Sequence, residues 1–308
     1  VLNKTREGLS MLFFDCGNSY IKARNSIGRE LINLSVVGKI QDTFTEKELF
    51  QIDNKYIGED AILHGYAQDY SLDEIKTEQS TFKTLTKYAL CKYKDETKIV
   101  FLFPFESYFT EKKQIIEMFS RNMDIEYKIG NTTYTHRFRP TLIKSLPQGY
   151  SAGMDYFLDD KGKIKEEIPN ITLIIDIGMG TCNLIYLLRG EIVREMSHTT
   201  KNGMHQIYKR ALNGRKIYEV DLYNGYDSVA PLYDDLATLI KSDISTYYEI
   251  KKIDKIVVVG GGGTAIYNFL PWTNKVSHKG QMTNIRGAEK VVKNLSWGNL
   301  EHSGMIMS

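Results

Sequence analysis

One pattern in this sequence occurs twice, and the repetition constrains the fold more than any other feature. MLFFDCGNSYIKA (11–23) and TLIIDIGMGTCNLIYL (172–187) each run from apolar residues into Asp, one residue and Gly. Each then passes through small residues into a second apolar run. Asp15 and Gly17 stand in the first copy where Asp176 and Gly178 stand in the second. A strand running into a bend that needs glycine's backbone freedom reads as a β-hairpin, and one such stretch is explained by a turn alone. The other reading is a phosphate clamp, in which consecutive backbone N–H groups form an anion-binding nest. The second copy favours the clamp, because a duplicated domain turns one loop from each half toward a shared cleft. A chain of 308 residues accommodates two domains of about 100–200 residues each.

Composition closes off several classes of function. With 42% hydrophobic and 25% charged residues the chain has ample core. Forty basic and 38 acidic residues give a net charge of +2, so no global basic field exists to hold nucleic acid, and no direct nucleic-acid binding is expected. The longest apolar runs, such as 99–105 and 256–259, are strand-sized, and none approaches the roughly 20 residues of a membrane span. Cys16, Cys91 and Cys182 are too few and too scattered for a disulfide framework or a CxxC metal site, which fits a reducing cytoplasm. Cys16 and Cys182 read as packing residues within the two hairpins. The opening residues VLNKTREGLS read as an extension ahead of the first strand, since they lack the apolar core of a signal peptide.

Local patterns predict a repeated order of elements. In the first half, strands are expected at 12–14, 20–25 and 30–37 as a meander of three, followed by a strand-and-turn insertion over 41–56 with its bend at Asn54 and Lys55. A helix entered at Gly58 and another over 81–92, with Phe82, Leu85, Tyr88 and Ala89 at helical spacing, come next. A central strand over 99–104, a helix capped by Thr110 and running to Phe119, a hairpin at Gly130 and Asn131, and a strand over 141–144 complete the half. In the second half, strands are expected at 171–175, 183–188 and 191–196 and a helix over 200–213, entered by the loop with Asn202 and Gly203. A long helix over 231–250 beginning at Pro231, a strand over 255–259 and a closing helix from near Gly287 follow. The expected domains are 11–168, with a small inserted lobe at about 39–98, and 169–308, with a short inserted lobe at about 201–252.

Five stretches, in order, resemble the actin, chaperone and sugar-kinase superfamily of ATPases. DCGNSYIK (15–22) resembles the first phosphate loop, including Lys22, and DIGMGT (176–181) the second. SLPQGYSAG (145–153) resembles the first connecting helix, with Gln148 where actins carry a glutamine. VVVGGGGTAI (257–266) resembles the adenosine loop and NIRGAEK (284–290) the second connecting helix. YIGEDA (56–61), KTEQSTFKTLTKYAL (76–90) and FPFESYF (103–109) resemble the ParM and StbA-type plasmid actins and their archaeal relatives in particular. The resemblance implies an α/β fold of duplicated ribonuclease-H-like (actin-like) domains, with mixed five-stranded sheets flanked by helices and a nucleotide cleft between them. The sequence departs from the pattern in its short second insertion and in having no identifiable Glu and Lys pair for the adenosine.

The residues themselves suit phosphate chemistry. Gly17, Asn18, Ser19 and Tyr20 would hold one side of a polyphosphate and Gly178, Gly180 and Thr181 the other, with Lys22 as fixed positive charge. The other reading of Lys22 is an exposed strand residue. Asp15 and Asp176 beside phosphates require a cation, for which Mg²⁺ held through water is suited. Gln148 cannot serve as a base but can orient a water for in-line attack; as a structural residue it would cap the helix after Pro147. Gly203 and Gly260, Gly261, Gly262 and Gly263 are the remaining expected nucleotide contacts. His198 and His205 read as packing residues, and the 20 tyrosines as half-buried strand residues.

The resemblance implies a slow ATPase, with ATP or GTP as cofactor, coupled to polymerisation. It also implies a filament of the chain itself, a DNA-binding adaptor linking it to plasmid DNA, a role in plasmid segregation, and a cytoplasmic location. The alternatives are a non-polymerising actin-like scaffold and a small-molecule kinase of the same superfamily; the latter needs a catalytic aspartate aimed at a substrate hydroxyl, and no residue presents itself for that role.

Overall fold

The structure, a computed structural model, describes residues 10–40, 48–70, 78–211 and 231–294. It forms two compact units, Val1–Leu102 with Ser107–Leu146, and Phe103–Glu106 with Pro147–Ser308. Each unit carries a mixed sheet built on the same plan.

In the first unit, β1 (Leu12–Cys16) pairs antiparallel with β2 (Tyr20–Asn25) and parallel with β8 (Lys98–Phe103). With β3 (Glu30–Leu34) and β11 (Leu142–Pro147) they give the order β11-β8-β1-β2-β3. Leu12, Phe13 and Phe14 and the run Ile99–Phe103 are buried, as befits a strand covered on both faces. Each such side chain contributes about 1.5–3 kcal/mol by leaving water. A second sheet, β10-β9-β5-β6-β4-β7, combines β4 (Val36–Ile40), β5 (Phe50–Ile52), β6 (Lys55–Ile57) and β7 (Gly65–Tyr70) with the hairpin β9 (Met123–Ile129) and β10 (Thr132–Phe138). Helices α1 (Glu59–His64), α2 (Ser80–Lys92) and α3 (Phe105–Phe119) complete the described elements up to β11.

The second unit repeats the plan. Its central strand β12 (Ile171–Ile177) pairs antiparallel with β13 (Cys182–Leu188) and parallel with β16 (Lys255–Val259). The order is β14-β13-β12-β16-β17, where β14 is Glu191–Ile192 and β17 is Lys275–Ser277, and β15 (His198–Thr200) also pairs with β13. Helices α4 (Tyr150–Phe157), α5 (His205–Ala211), α6 (Tyr233–Tyr247), α7 (Gly260–Ile266) and α8 (Thr283–Asn294) surround it. No helix among the described residues is long and apolar enough to cross a membrane.

Several elements differ from the sequence-based expectation. The single strand over 30–37 is two strands in two sheets, broken at Ser35. There the Ser35 N–H donates to Ser19 O (2.8 Å) and its hydroxyl to Gly17 O (2.6 Å), turning the chain. The bend between β5 and β6 falls at Asp53 and Asn54, both at positive φ, one residue earlier than expected. α3 begins at Phe105, five residues before Thr110, because Phe105 N–H and Glu106 N–H are capped by Asn183 Oδ1 and Thr199 Oγ1. The strand over 191–196 stops at Ile192 and gives way to a 3₁₀ turn (Arg194–Met196). Ser197 closes that turn, its hydroxyl donating to Val193 O and accepting from Tyr186 N–H.

The helix expected over 200–213 starts only at His205, since Thr200 belongs to β15. Residues 212 and 213, with the stretch to Ala230, lie outside the described residues. α6 is shorter than 231–250, with Tyr248 already extended. α8 begins at Thr283, so Gly287 lies inside the helix. A Cβ there would sit 1.6 Å from Ser151 O, so glycine permits α4 and α8 to cross backbone against backbone. The same crossing buries Asp155 of α4 against His278 Nε2 (2.8 Å), Arg286 Nε (3.1 Å) and Lys290 Nζ (2.7 Å). Burial pushes the Asp155 carboxyl up, but the hydrogen bonds from His278 and Lys290 and the charges of Arg286 and Lys290 outweigh it and hold it down at about 2.

Candidate functional site

The spacing of seven between Asp15 and Lys22 is explained by strand register. Cys16 faces Ile21 and Asp15 faces Lys22 across β1 and β2, and Gly17 N–H closes the loop on Tyr20 O at 3.1 Å. Lys22 Nζ lies 3.2 Å from Asp15 Oδ2, and the carboxylate is 1% exposed. Lys22 is therefore a cross-strand counter-ion. Within the loop, Ser19 is 6% exposed and its hydroxyl has no hydrogen-bond partner among the described residues, an unmet need that an arriving oxygen acceptor would fill. Asn18 is half-buried. The Tyr20 ring packs against the cluster of Leu34, Val36, Leu49, Tyr56 and Ala61; burial and then Glu59 push its phenol up, against a smaller pull from Lys22.

The second hairpin has the same register. Ile177 faces Cys182, Asp176 faces Asn183, and Gly178 N–H closes on Thr181 O at 2.9 Å. Asp176 is 4% exposed, and its Oδ2 accepts from Asn183 Nδ2 (3.4 Å) and Asn284 Nδ2 (3.0 Å). The loop is fixed from outside: Met204 N–H donates to Gly178 O, and His205 places its N–H and Nδ1 on Met179 O. Gly203 presses against this loop, where a Cβ would lie 2.4 Å from Met179 O. The glycine run after β16 forms the first turn of α7. A Cβ on Gly260 would meet Ile177 O at 2.5 Å and Asp176 Oδ1 at 2.6 Å, and one on Gly262 would meet Ile177 Cγ2 at 2.6 Å. These two glycines thus allow α7 to sit against the acid-bearing end of β12. Burial, then Asp176, pushes the Cys182 thiol far up, which accords with a packing role.

Gln148 is 8% exposed at the end of β11. Its N–H donates to Phe103 O at 2.6 Å, and the next residue, Gly149, stands at φ 73 as the N-cap of α4. Gly149 N–H donates to Asn284 Oδ1 at 2.9 Å. The second unit therefore holds Gln148, Asp176, Gly178, Gly180, Thr181, Gly203 and Gly260–Gly263, with Gly203, Gly260 and Gly262 directly against the Asp176 hairpin. The first unit holds Asp15, Gly17, Asn18, Ser19, Tyr20 and Lys22. Among the described residues no group of three or more His, Cys, Asp or Glu is placed to hold a metal.

Two residues of this site were not singled out from the sequence. Asn183 follows Asp176 at the same offset as Lys22 follows Asp15, so aligning the two copies would have found it. Asn284 lies within NIRGAEK, but nothing in the sequence connects it to Asp176.

Residues 14–150 match the family model described as actin like proteins N terminal domain. Comparison with curated proteins gives no match. Among solved structures, the crystal structure of Ta0583, an archaeal actin homolog, aligns with a TM-score of 0.73 at 19% identity, over 93% of this chain and 100% of that one. Another structure of that homolog is a complex with ADP. A 15-stranded ParM filament from Clostridium botulinum aligns at 0.69 with 18% identity, over 94% and 99% of the two chains. The filament structure of AlfA from the B. subtilis plasmid pLS32 aligns at 0.61 with 18% identity, over 89% and 96%. The chain has the actin-like fold, with mixed sheets flanked by helices. Within that fold it resembles the ParM-type plasmid actins and the archaeal actin homolog.

Proposed function

We propose that this chain is a nucleotide-dependent, filament-forming actin-like protein that binds and slowly hydrolyses ATP or GTP with Mg²⁺. The observation that carries the reading is the pair of Asp-x-Gly hairpins with identical register, each closing a small-residue loop next to a buried acid. Residues 11–168 and 169–308 are the duplicated halves, and each hairpin supplies one phosphate loop. Gly17, Asn18, Ser19 and Tyr20, with Lys22, would serve one loop; Gly178, Gly180 and Thr181 would serve the other, and Gly203 and Gly260–Gly263 the rest of the nucleotide. The free Ser19 hydroxyl suits a phosphate oxygen. Asp15 and Asp176 would hold the hydrated Mg²⁺, which neutralises charge on the phosphates. Gln148 would orient the attacking water.

That the ParM and AlfA neighbours are filaments supports self-assembly, with hydrolysis as its timer. The reading extends to a cytoplasmic plasmid-segregation role, in which a DNA-binding adaptor protein joins the filament to plasmid DNA. Electron microscopy of the purified protein with a non-hydrolysable ATP analogue and Mg²⁺ tests it. Filaments are expected with nucleotide and not without; their absence over a wide range of concentration and salt would transfer the reading to a non-polymerising scaffold.

A further inference from the structure

Asp176 and Gln148 are joined by a closed circuit of hydrogen bonds. Gln148 N–H donates to Phe103 O (2.6 Å), and two residues on, Phe105 N–H donates to Asn183 Oδ1 (3.1 Å). Asn183 Nδ2 donates to Asp176 Oδ2 (3.4 Å), which also accepts Asn284 Nδ2 (3.0 Å). Asn284 Oδ1 then accepts Gly149 N–H (2.9 Å), returning the circuit to the residue after Gln148. Asn183 is 2% exposed and Asn284 8%, so these amide bonds are made where water does not compete. Each asparagine offers a donor to a carboxylate and an acceptor to a backbone N–H, from the two arms of one planar amide. Gly149 is also fixed by packing, since a Cβ there would meet Ile185 Cγ1 at 2.8 Å.

We propose that Asn284 is a positioning residue, with Asn183 as its counterpart, that sets the Asp176 carboxylate and the Gln148–Gly149 turn in mutual register. This rests on the reading of the Asp176 hairpin as a phosphate and metal loop. Asn284 touches no reacting atom; it acts through Asp176 and Gly149.

Two variants test it, each measured for Mg-nucleotide affinity, phosphate release per folded molecule and apo melting temperature. Asn284→Leu keeps the branched skeleton and removes both hydrogen bonds, and should lower phosphate release about 10–100-fold with a smaller change in affinity. Asn284→Gln retains the amide and should recover part of the rate. Wild-type turnover per folded molecule in the Leu variant, even with a lower melting temperature, or a Gln variant no more active than the Leu variant, would overturn the assignment. Wild-type protein that neither binds nor hydrolyses Mg-nucleotide would instead remove the function proposed above, whatever the variants do.

Discussion

The two hairpins share a backbone and differ in what faces the acid. In the first, Asp15 lies opposite Lys22, whose ammonium is 3.2 Å away. In the second, Asp176 lies opposite Asn183, with Asn284 as a second amide donor. A lysine beside a carboxylate supplies a counter-charge, whereas an amide supplies an uncharged hydrogen-bond donor. The same fold unit, used twice, thus gives one loop with an ammonium facing its acid and one with two amide donors on its acid.

The sharpest way to break this division is Asp176→Ala, which should lower Mg-dependent hydrolysis about 1000-fold or more, read as phosphate release at saturating nucleotide. Normal turnover would remove the second hairpin from the site. Gln148→Ala should leave affinity and assembly in place while hydrolysis falls about 10–1000-fold, equivalent to about 1.4–4 kcal/mol of barrier. A lower melting temperature with intact turnover would make Gln148 a structural residue instead, without the cap role the sequence suggested, since Gly149 is the N-cap of α4.

A third buried carboxylate, Asp155, calibrates what paired charge does to an acid in this protein. Its pKa is held at about 2, below the ordinary carboxylate range, so its contribution is present above about pH 4 and is lost as pH falls through about 2. Asp155→Asn should therefore cost about 2 kcal/mol at pH 7 in urea unfolding, the gap to wild type closing as pH drops from about 4 toward 2. Lys22→Asn makes the first hairpin resemble the second. It should cost about 1–2 kcal/mol of stability, because Asp15 stays buried without its cation, and should weaken nucleotide affinity; unchanged affinity would place Lys22 outside the site. Ser19→Ala should be the mildest, with apo stability within about 0.5 kcal/mol of wild type and nucleotide affinity lowered about 5–10-fold.

Both hairpins were legible in the sequence because their geometry is local: an acid, a glycine and a fixed return length set the register. Helix α2 was legible for the same reason, its buried positions recurring at helical spacing. What escaped depends on distant partners. The start of α3 is set by caps 78 and 93 residues further along the chain, so the nearer Thr110 looked like the cap. Ser35 splits a strand because of loop atoms at Gly17 and Ser19. The closing helix was expected from near Gly287, but that glycine lies inside it, where the crossing with α4 leaves no room for a Cβ. Asn284 meets its partners across 108 and 135 residues, a relation that no spacing rule reveals.

The central claim, that the two loops act as a nucleotide-driven assembly switch, is tested most directly by following phosphate release and light scattering together on one sample of wild-type protein after adding ATP and Mg²⁺. The account predicts that scattering rises first, that phosphate release follows slowly, and that scattering then decays as nucleotide is consumed, with no response when Mg²⁺ is chelated. Phosphate release with flat scattering, or scattering that ignores nucleotide and Mg²⁺, would contradict it.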